Sequence, residues 1–105
     1  MQQDKEFTPV VFRKERDDVT AVFPTLPADE RGYEMTCCAH IGQHSACSWH
    51  WYCGTIAARP GDYAELFREL ERIGYRLKVY KRITGKMRDE CKRNAREDNK
   101  RVLGA

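Results

Sequence analysis

The stretch TPVVFRKERDDVTAVF at residues 8–23 decides the fold that the sequence predicts. Its two halves are rich in β-branched and aromatic residues, as strands are, and the acidic pair Asp17–Asp18 between them is typical of a turn. Apolar residues alternate along the second half, which places them on one face. The stretch therefore predicts a β-hairpin with strands at residues 8–14 and 19–23.

The segment after the hairpin begins with two prolines, Pro24 and Pro27. We expect them to end the sheet geometry, because proline has no N–H to donate to a strand ladder. Alternation over residues 33–40 then predicts a third strand with one buried face, on which Tyr33 would lie. Residues 41–58 contain two tryptophans and much of the cysteine and histidine, and we expect them to form a long ordered loop.

The second half of the chain starts with the clearest helical pattern. Apolar residues recur at helical spacing from Pro60, which suits a first helical position, to Gly74, which suits a C-terminal cap. Residues 75–83 alternate as a strand. Thr84 then predicts the cap of a second helix running toward Arg101.

The predicted order is β-β-β-α-β-α, and the fold class is α+β. We expect a small antiparallel sheet of about four strands, one amphipathic helix packed on one face, and a basic C-terminal helix that is mostly exposed or packed on a partner. The 105 residues make one domain. We expect a flexible N-terminus at 1–7, an α+β core at 8–83 and the basic helix at 84–105.

Charge is distributed unevenly along the chain. Residues 75–105 contain eleven Lys and Arg against four Asp and Glu, whereas residues 1–74 contain eight against twelve. A basic block of this kind favours a negatively charged partner. The first residues, Met-Gln-Gln-Asp-Lys-Glu, do not resemble a secretory signal, and no segment is apolar enough to span a membrane. We therefore predict a cytoplasmic protein.

The last strand and last helix predict a basic surface that binds nucleic acid or a partner. Its candidate residues are Arg76, Lys78, Tyr80, Arg82, Lys86, Arg88, Lys92, Arg93 and Arg96. Positions 88, 92 and 96 share one side of the helix, and an aromatic ring among cations can stack on bases. The alternative is a solvated helix face with ion pairs Asp89–Arg93 and Glu97–Arg101.

All three histidines and four of the five cysteines lie between residues 37 and 53. A zinc site would draw its ligands from such residues, and the candidate set is His40, His44, Cys47 and Cys53. Two alternatives remain open: the cysteines are small buried side chains, or a cysteine and a histidine form a nucleophilic dyad. No phosphate-binding loop or paired-carboxylate site accompanies them, and we predict neither a cofactor nor an enzyme.

Several short motifs resemble those of short bacterial proteins found in phage, prophage and plasmid-like regions. They are VVFRK at 10–14, FP at 23–24, HIGQH at 40–44, YAEL at 63–66 and GYRLKV at 74–79. That group has no established activity, so no residue inherits a role. The resemblance implies a mobile-element context, in which small proteins often act by binding, as regulators or as anti-CRISPR-like inhibitors of host defence.

The sequence thus predicts a small non-enzymatic binding protein that acts on a nucleoprotein complex, as a monomer or homodimer and away from membranes. An acidic protein surface is an alternative target of the same cations. A nucleic-acid-binding accessory protein or transcriptional regulator is the alternative function. A zinc-stabilised structural domain is a further alternative.

Overall fold

The computed structural model describes residues 7–39 and 44–104, and for residues 100–104 it describes the backbone alone. The elements in chain order are β1 (Thr8–Glu15), β2 (Asp18–Pro27), β3 (Glu34–Cys38), β4 (His44–Ser48), α1 (Trp49–Cys53), β5 (Ile56–Ala57), α2 (Pro60–Arg72), β6 (Leu77–Val79) and α3 (Gly85–Gly104). The α+β class is confirmed. The sheet has six strands rather than about four, because β4 and β5 lie in the segment that was predicted as a loop.

The sheet is built around the predicted hairpin of β1 and β2. The strand order is β4-β3-β2-β1-β5, with antiparallel pairs throughout, and β6 lies parallel to β1. The strands β5 and β6 share one edge of β1, β5 near Lys14 and β6 near Val10. The chain therefore completes this edge with two short strands placed end to end.

Pro24 does not end the sheet, contrary to the sequence prediction. The strand β2 continues to Pro27, and its register against β3 shifts between Phe23 and Pro27. Pro24 lies within this irregularity and is fully buried. Because a bulge leaves residues unpaired, the missing N–H of the proline interrupts no ladder bond there.

One face of the sheet is covered by α2. Leu66 and Leu70 of this helix pack against a cluster of buried apolar side chains from the strands: Val10, Phe12, Ala21, Phe23, Cys38 and Leu77. The helix ends as predicted, with Gly74 at a φ of 117°. This layer matches the amphipathic pattern of the sequence.

The other face is covered by α1 and α3, so the last helix packs on the sheet, while just over half of its residues with described side chains stay exposed. Met87, Cys91 and Ala95 form its buried stripe. They lie over a second cluster of buried residues, which consists of Val11, Val22, Met35, Cys37, Cys47, Tyr52 and Ile83. The molecule thus has three layers, and α3 belongs to the core.

Polar contacts fix the position of α3 on the sheet. Thr84 caps it as predicted, because its hydroxyl oxygen accepts from the Met87 N–H at 3.2 Å. Asn94 donates to the carbonyl oxygen of Thr25 at 2.8 Å. Gly32 has a φ of 76°, and a Cβ added there would lie 2.6 Å from the Cα of Lys92. Only glycine allows the loop to approach the helix this closely.

Candidate nucleic-acid interface

The basic residues of α3 divide into a lateral row and an outer group. Arg88, Lys92 and Arg96 follow one another at every fourth position, and the helical repeat places them about 6 Å apart along one side. Lys86 and Arg93 point farther from the sheet and are exposed, as is Arg96. The predicted row of cations is therefore accessible in a helix that is itself held by the core.

Two residues of this row lie over aromatic rings. The guanidinium carbon of Arg88 lies 4.0 Å from the centre of a Trp49 ring, and the Lys92 Nζ lies 5.5 Å from the centre of the Tyr33 ring. Such contacts stabilise by about 0.5–1 kcal/mol at exposed sites. They also hold the two cations beside an aromatic surface that the sequence prediction did not include. We call Tyr33, Trp49, Arg88 and Lys92 the cation–aromatic row.

The tryptophan of the row is held in place by α1. Trp49 stacks on Tyr52 with ring centres 5.0 Å apart, and the Tyr52 hydroxyl accepts from the Ile83 N–H at 3.0 Å. On β1, the Arg13 guanidinium lies 4.5 Å from the Tyr52 ring centre and donates to the Thr55 hydroxyl at 2.8 Å. Chain segments that are distant in sequence therefore support the surface at Arg88.

The basic residues around β6 form a second group at the opposite edge of the sheet. Arg76 lies 5.0 Å from the ring centre of Phe7, and Lys78 lies 5.6 Å from that of Tyr80. Tyr80 is half-buried and packs against the core on the α3 face, which limits the stacking surface predicted for it. Arg82 is exposed in the connection to α3. The nine candidate residues thus form two groups, one around β6 and one on α3, joined by the connection between these two elements.

Ion pairs neutralise little of this charge. Over residues 7–39 and 44–99, the one ion pair joins Lys14 and Asp62 at 3.4 Å, on the α2 side of the molecule. Asp89 and Arg93, which the solvated-face alternative would pair, do not form a salt bridge. The other predicted pair involves Arg101, whose side chain lies outside the described residues.

Acidic residues line a cleft on another part of the molecule. An open cleft of about 740 Å³ reaches from the hairpin turn to α2, and its lining includes seven acidic residues: Glu15, Asp17, Asp18, Glu34, Asp62, Glu65 and Glu69. The cleft is therefore strongly negative and repels an anion. On the described residues 85–99 of α3, five cations accompany four exposed carboxylates, Asp89, Glu90, Glu97 and Asp98.

The predicted zinc ligands are not brought together. His44 and Cys47 are three residues apart on β4, so they face opposite sides of the sheet. His44 forms a hydrogen bond with the Tyr75 hydroxyl at 2.8 Å, whereas Cys47 is buried below α3. Cys53 is exposed at the end of α1, and His40 lies outside the described residues. The part of the chain that is described contains no cluster of three metal-ligating residues.

Three cysteines are buried between α3 and the sheet, Cys37 and Cys47 on the strands and Cys91 on α3. Hydrogen bonds from Cys47 and Ser45 to its thiolate lower the pKa of Cys37 to about 6, and the same bond raises the pKa of Cys47. Burial raises the pKa of Cys91 to about 11. Cys37 and Cys47 occupy the apolar cluster, as the small-side-chain alternative for these thiols requires.

The chain matches no protein-family model, and neither a curated protein sequence nor a solved structure matches it. Among the described residues, no helix is long and apolar enough to cross a membrane.

Proposed function

We propose that this chain is a small non-enzymatic binding protein that acts on a nucleoprotein complex and contacts the nucleic acid of that complex. The contact surface is the exposed side of α3 together with the connection from β6. The observation that carries the proposal is a set of exposed cations on this surface that form no ion pair in the part of the chain that the structure describes. Lys86, Arg93 and Arg96 are exposed, and none of them forms an ion pair among the described residues.

The solvated-face alternative is less well supported by the same geometry. A helix that only meets solvent gains from ion pairs between positions four apart, and the pair at Asp89 and Arg93 is missing. Cations at neighbouring positions of a helix repel one another. The phosphates of a polyanion would neutralise these cations, and the counterions released from the polyanion would favour binding further. Phosphate binding therefore accounts for the arrangement better than solvation does.

Nucleic acid is favoured over an acidic protein because aromatic rings accompany the cations. Rings of Tyr33 and Trp49 lie within the same surface as Arg88 and Lys92. An acidic protein patch requires charge alone, whereas nucleic acid offers phosphates and base faces together. In the mobile-element setting that the sequence resemblance implies, the complex is a host defence effector and the chain competes for its nucleic acid.

The test uses residues that contribute charge without supporting the fold. Arg88 and Lys92 rest on aromatic rings, so their replacement would also disturb packing. We therefore choose the triple variant Lys86→Gln, Arg93→Gln and Arg96→Gln. Fluorescence anisotropy with labelled DNA and RNA, over a salt series, should give at least a tenfold weaker binding, and a salt slope lower by about one unit per lost phosphate contact.

A matched control removes the same charge elsewhere. Arg16, Arg68 and Arg72 are exposed on the hairpin and on α2, and the variant with all three changed to Gln should bind as the unchanged protein does. An equal loss of affinity in both triple variants would show that net charge, and not the position of the cations on α3, determines binding. Binding of no nucleic acid by the unchanged protein, with capture of a nuclease-resistant protein partner through α3 instead, would reject the nucleic-acid contact.

A further inference from the structure

The cation–aromatic row combines flat groups with positive charge. Tyr33 immediately precedes β3 and is 55% exposed. Lys92 lies beside its ring, and Arg88, one helical turn before Lys92, is stacked on Trp49. One ring and one guanidinium are thus presented by neighbouring turns of the same surface.

The flat groups favour an unpaired strand over a duplex as the binding partner. A base can stack on a side chain only when its face is free, and in a duplex the neighbouring base pairs cover the base faces. Glu90 and Glu97 are exposed on the same side of α3 as Lys86 and Arg93, so charge alone does not distinguish the two forms. The exposed ring of Tyr33 does.

We propose that the cation–aromatic row is a binding site for single-stranded nucleic acid, in which an unpaired base stacks on Tyr33 and its neighbour stacks at Arg88. This inference rests on the proposed function, because Lys86, Arg93 and Arg96 supply the phosphate contacts in both. Base stacking on aromatic rings and on guanidinium planes is tolerant of sequence, so the site accepts a strand of any composition.

The rigidity of the site follows from its supports. Gly32 lies against the backbone of α3 at Lys92 and fixes the chain immediately before Tyr33. At the other end of the row, Trp49 is held by Tyr52, whose hydroxyl is bonded to Ile83. The two stacking groups are therefore preorganised, and a strand that binds there loses little free energy to ordering the protein.

The inference is tested by comparing oligothymidylate, oligouridylate and a DNA duplex of equal length, all fluorescently labelled. The unchanged protein should bind a single strand more tightly than the duplex. Tyr33→Leu should weaken single-strand binding by at least about fivefold and leave duplex binding unchanged, since stacking on one ring contributes about 1–3 kcal/mol. Tyr33→Phe retains the ring and should retain the affinity.

The outcomes separate this inference from the proposed function. Unchanged single-strand affinity in Tyr33→Leu, with the loss in the Lys86, Arg93 and Arg96 variant still observed, would overturn the stacking site and leave the proposed function standing. Tighter binding of the duplex than of either single strand would also overturn the stacking site and leave the proposed function standing. Failure of the unchanged protein to bind any of the three probes would overturn both. Thermal unfolding of Tyr33→Leu controls for loss of fold.

Discussion

The two faces of the sheet are covered in different ways. On one face, α2 contributes leucines that pack against valines and phenylalanines. On the other, α3 contributes a methionine, a cysteine and an alanine, and Asn94 adds a hydrogen bond to the carbonyl oxygen of Thr25 in β2. The attachment of α2 rests mainly on apolar burial, with a partly exposed ion pair between Lys14 and Asp62, whereas a narrower apolar stripe and the Asn94 bond hold α3. The difference shows how a helix can be attached by a narrow stripe and keep most of its surface exposed.

The largest expected effect tests the apolar face. Leu70 of α2 is fully buried against the sheet, and Leu70→Ala should lower the free energy of unfolding by about 2–5 kcal/mol. On the α3 face, Cys91 is equally buried, but Cys91→Ala removes only its sulfur atom. This variant should therefore lower the free energy of unfolding by about 1 kcal/mol. Urea unfolding measures both. Similar losses in the two variants would contradict the distinction between the faces.

The next effect concerns the close approach of the loop to α3. Gly32→Ala requires a left-handed backbone, which costs about 1–3 kcal/mol, and its methyl group would overlap the helix backbone at Lys92. Gly61 in the first turn of α2 is the matched control, since nothing lies within 4 Å of an added Cβ there. Gly61→Ala should be neutral or slightly stabilising. A neutral Gly32→Ala would show that the loop does not fix α3.

The smallest effect isolates one directional contact of α3. Asn94→Ala removes the bond to the carbonyl oxygen of the buried Thr25 and should lower the free energy of unfolding by about 1 kcal/mol. The comparison is Asn99→Ala, whose bond to the carbonyl oxygen of Glu30 is exposed to water, and its loss should be smaller. Chemical denaturation measures both. A larger loss in Asn99→Ala would contradict the assignment of Thr25 as the main polar attachment.

The elements that sequence predicted correctly depend on neighbouring residues. The hairpin, α2 with its Gly74 end and the Thr84 cap are set by local alternation, helical periodicity and capping chemistry. The segment 41–58 was predicted wrongly as a loop because β4 and β5 are short strands that exist through pairing with β3 and β1. The packing of α3 on the sheet was not predicted, because its apolar stripe of Met87, Cys91 and Ala95 is too narrow to show whether it faces the sheet or a partner.

In the candidate site, too, local features were predicted from sequence and tertiary contacts were not. Positions 88, 92 and 96 were predicted to share a helix side, and α3 places them so. Their aromatic partners were not predicted, since Tyr33 and Trp49 meet α3 only through tertiary packing. Alternation had placed Tyr33 on a buried face, but it precedes β3 and lies where the sheet ends. No local pattern could have identified it.

The parallel pair of β6 and β1 has a consequence for how the chain folds during synthesis. Residues 8–10 pair with residues 77–79, so this edge of β1 stays open until most of the chain has been made. The helix α3 follows β6 in sequence, so the part of the sheet face that α3 covers stays exposed until this helix has been synthesised. Contacts between such distant residues slow folding and leave apolar surface exposed to other chains in the meantime. The nascent protein is therefore most prone to aggregation just before its basic helix emerges, because the same helix that carries the cations also covers this face.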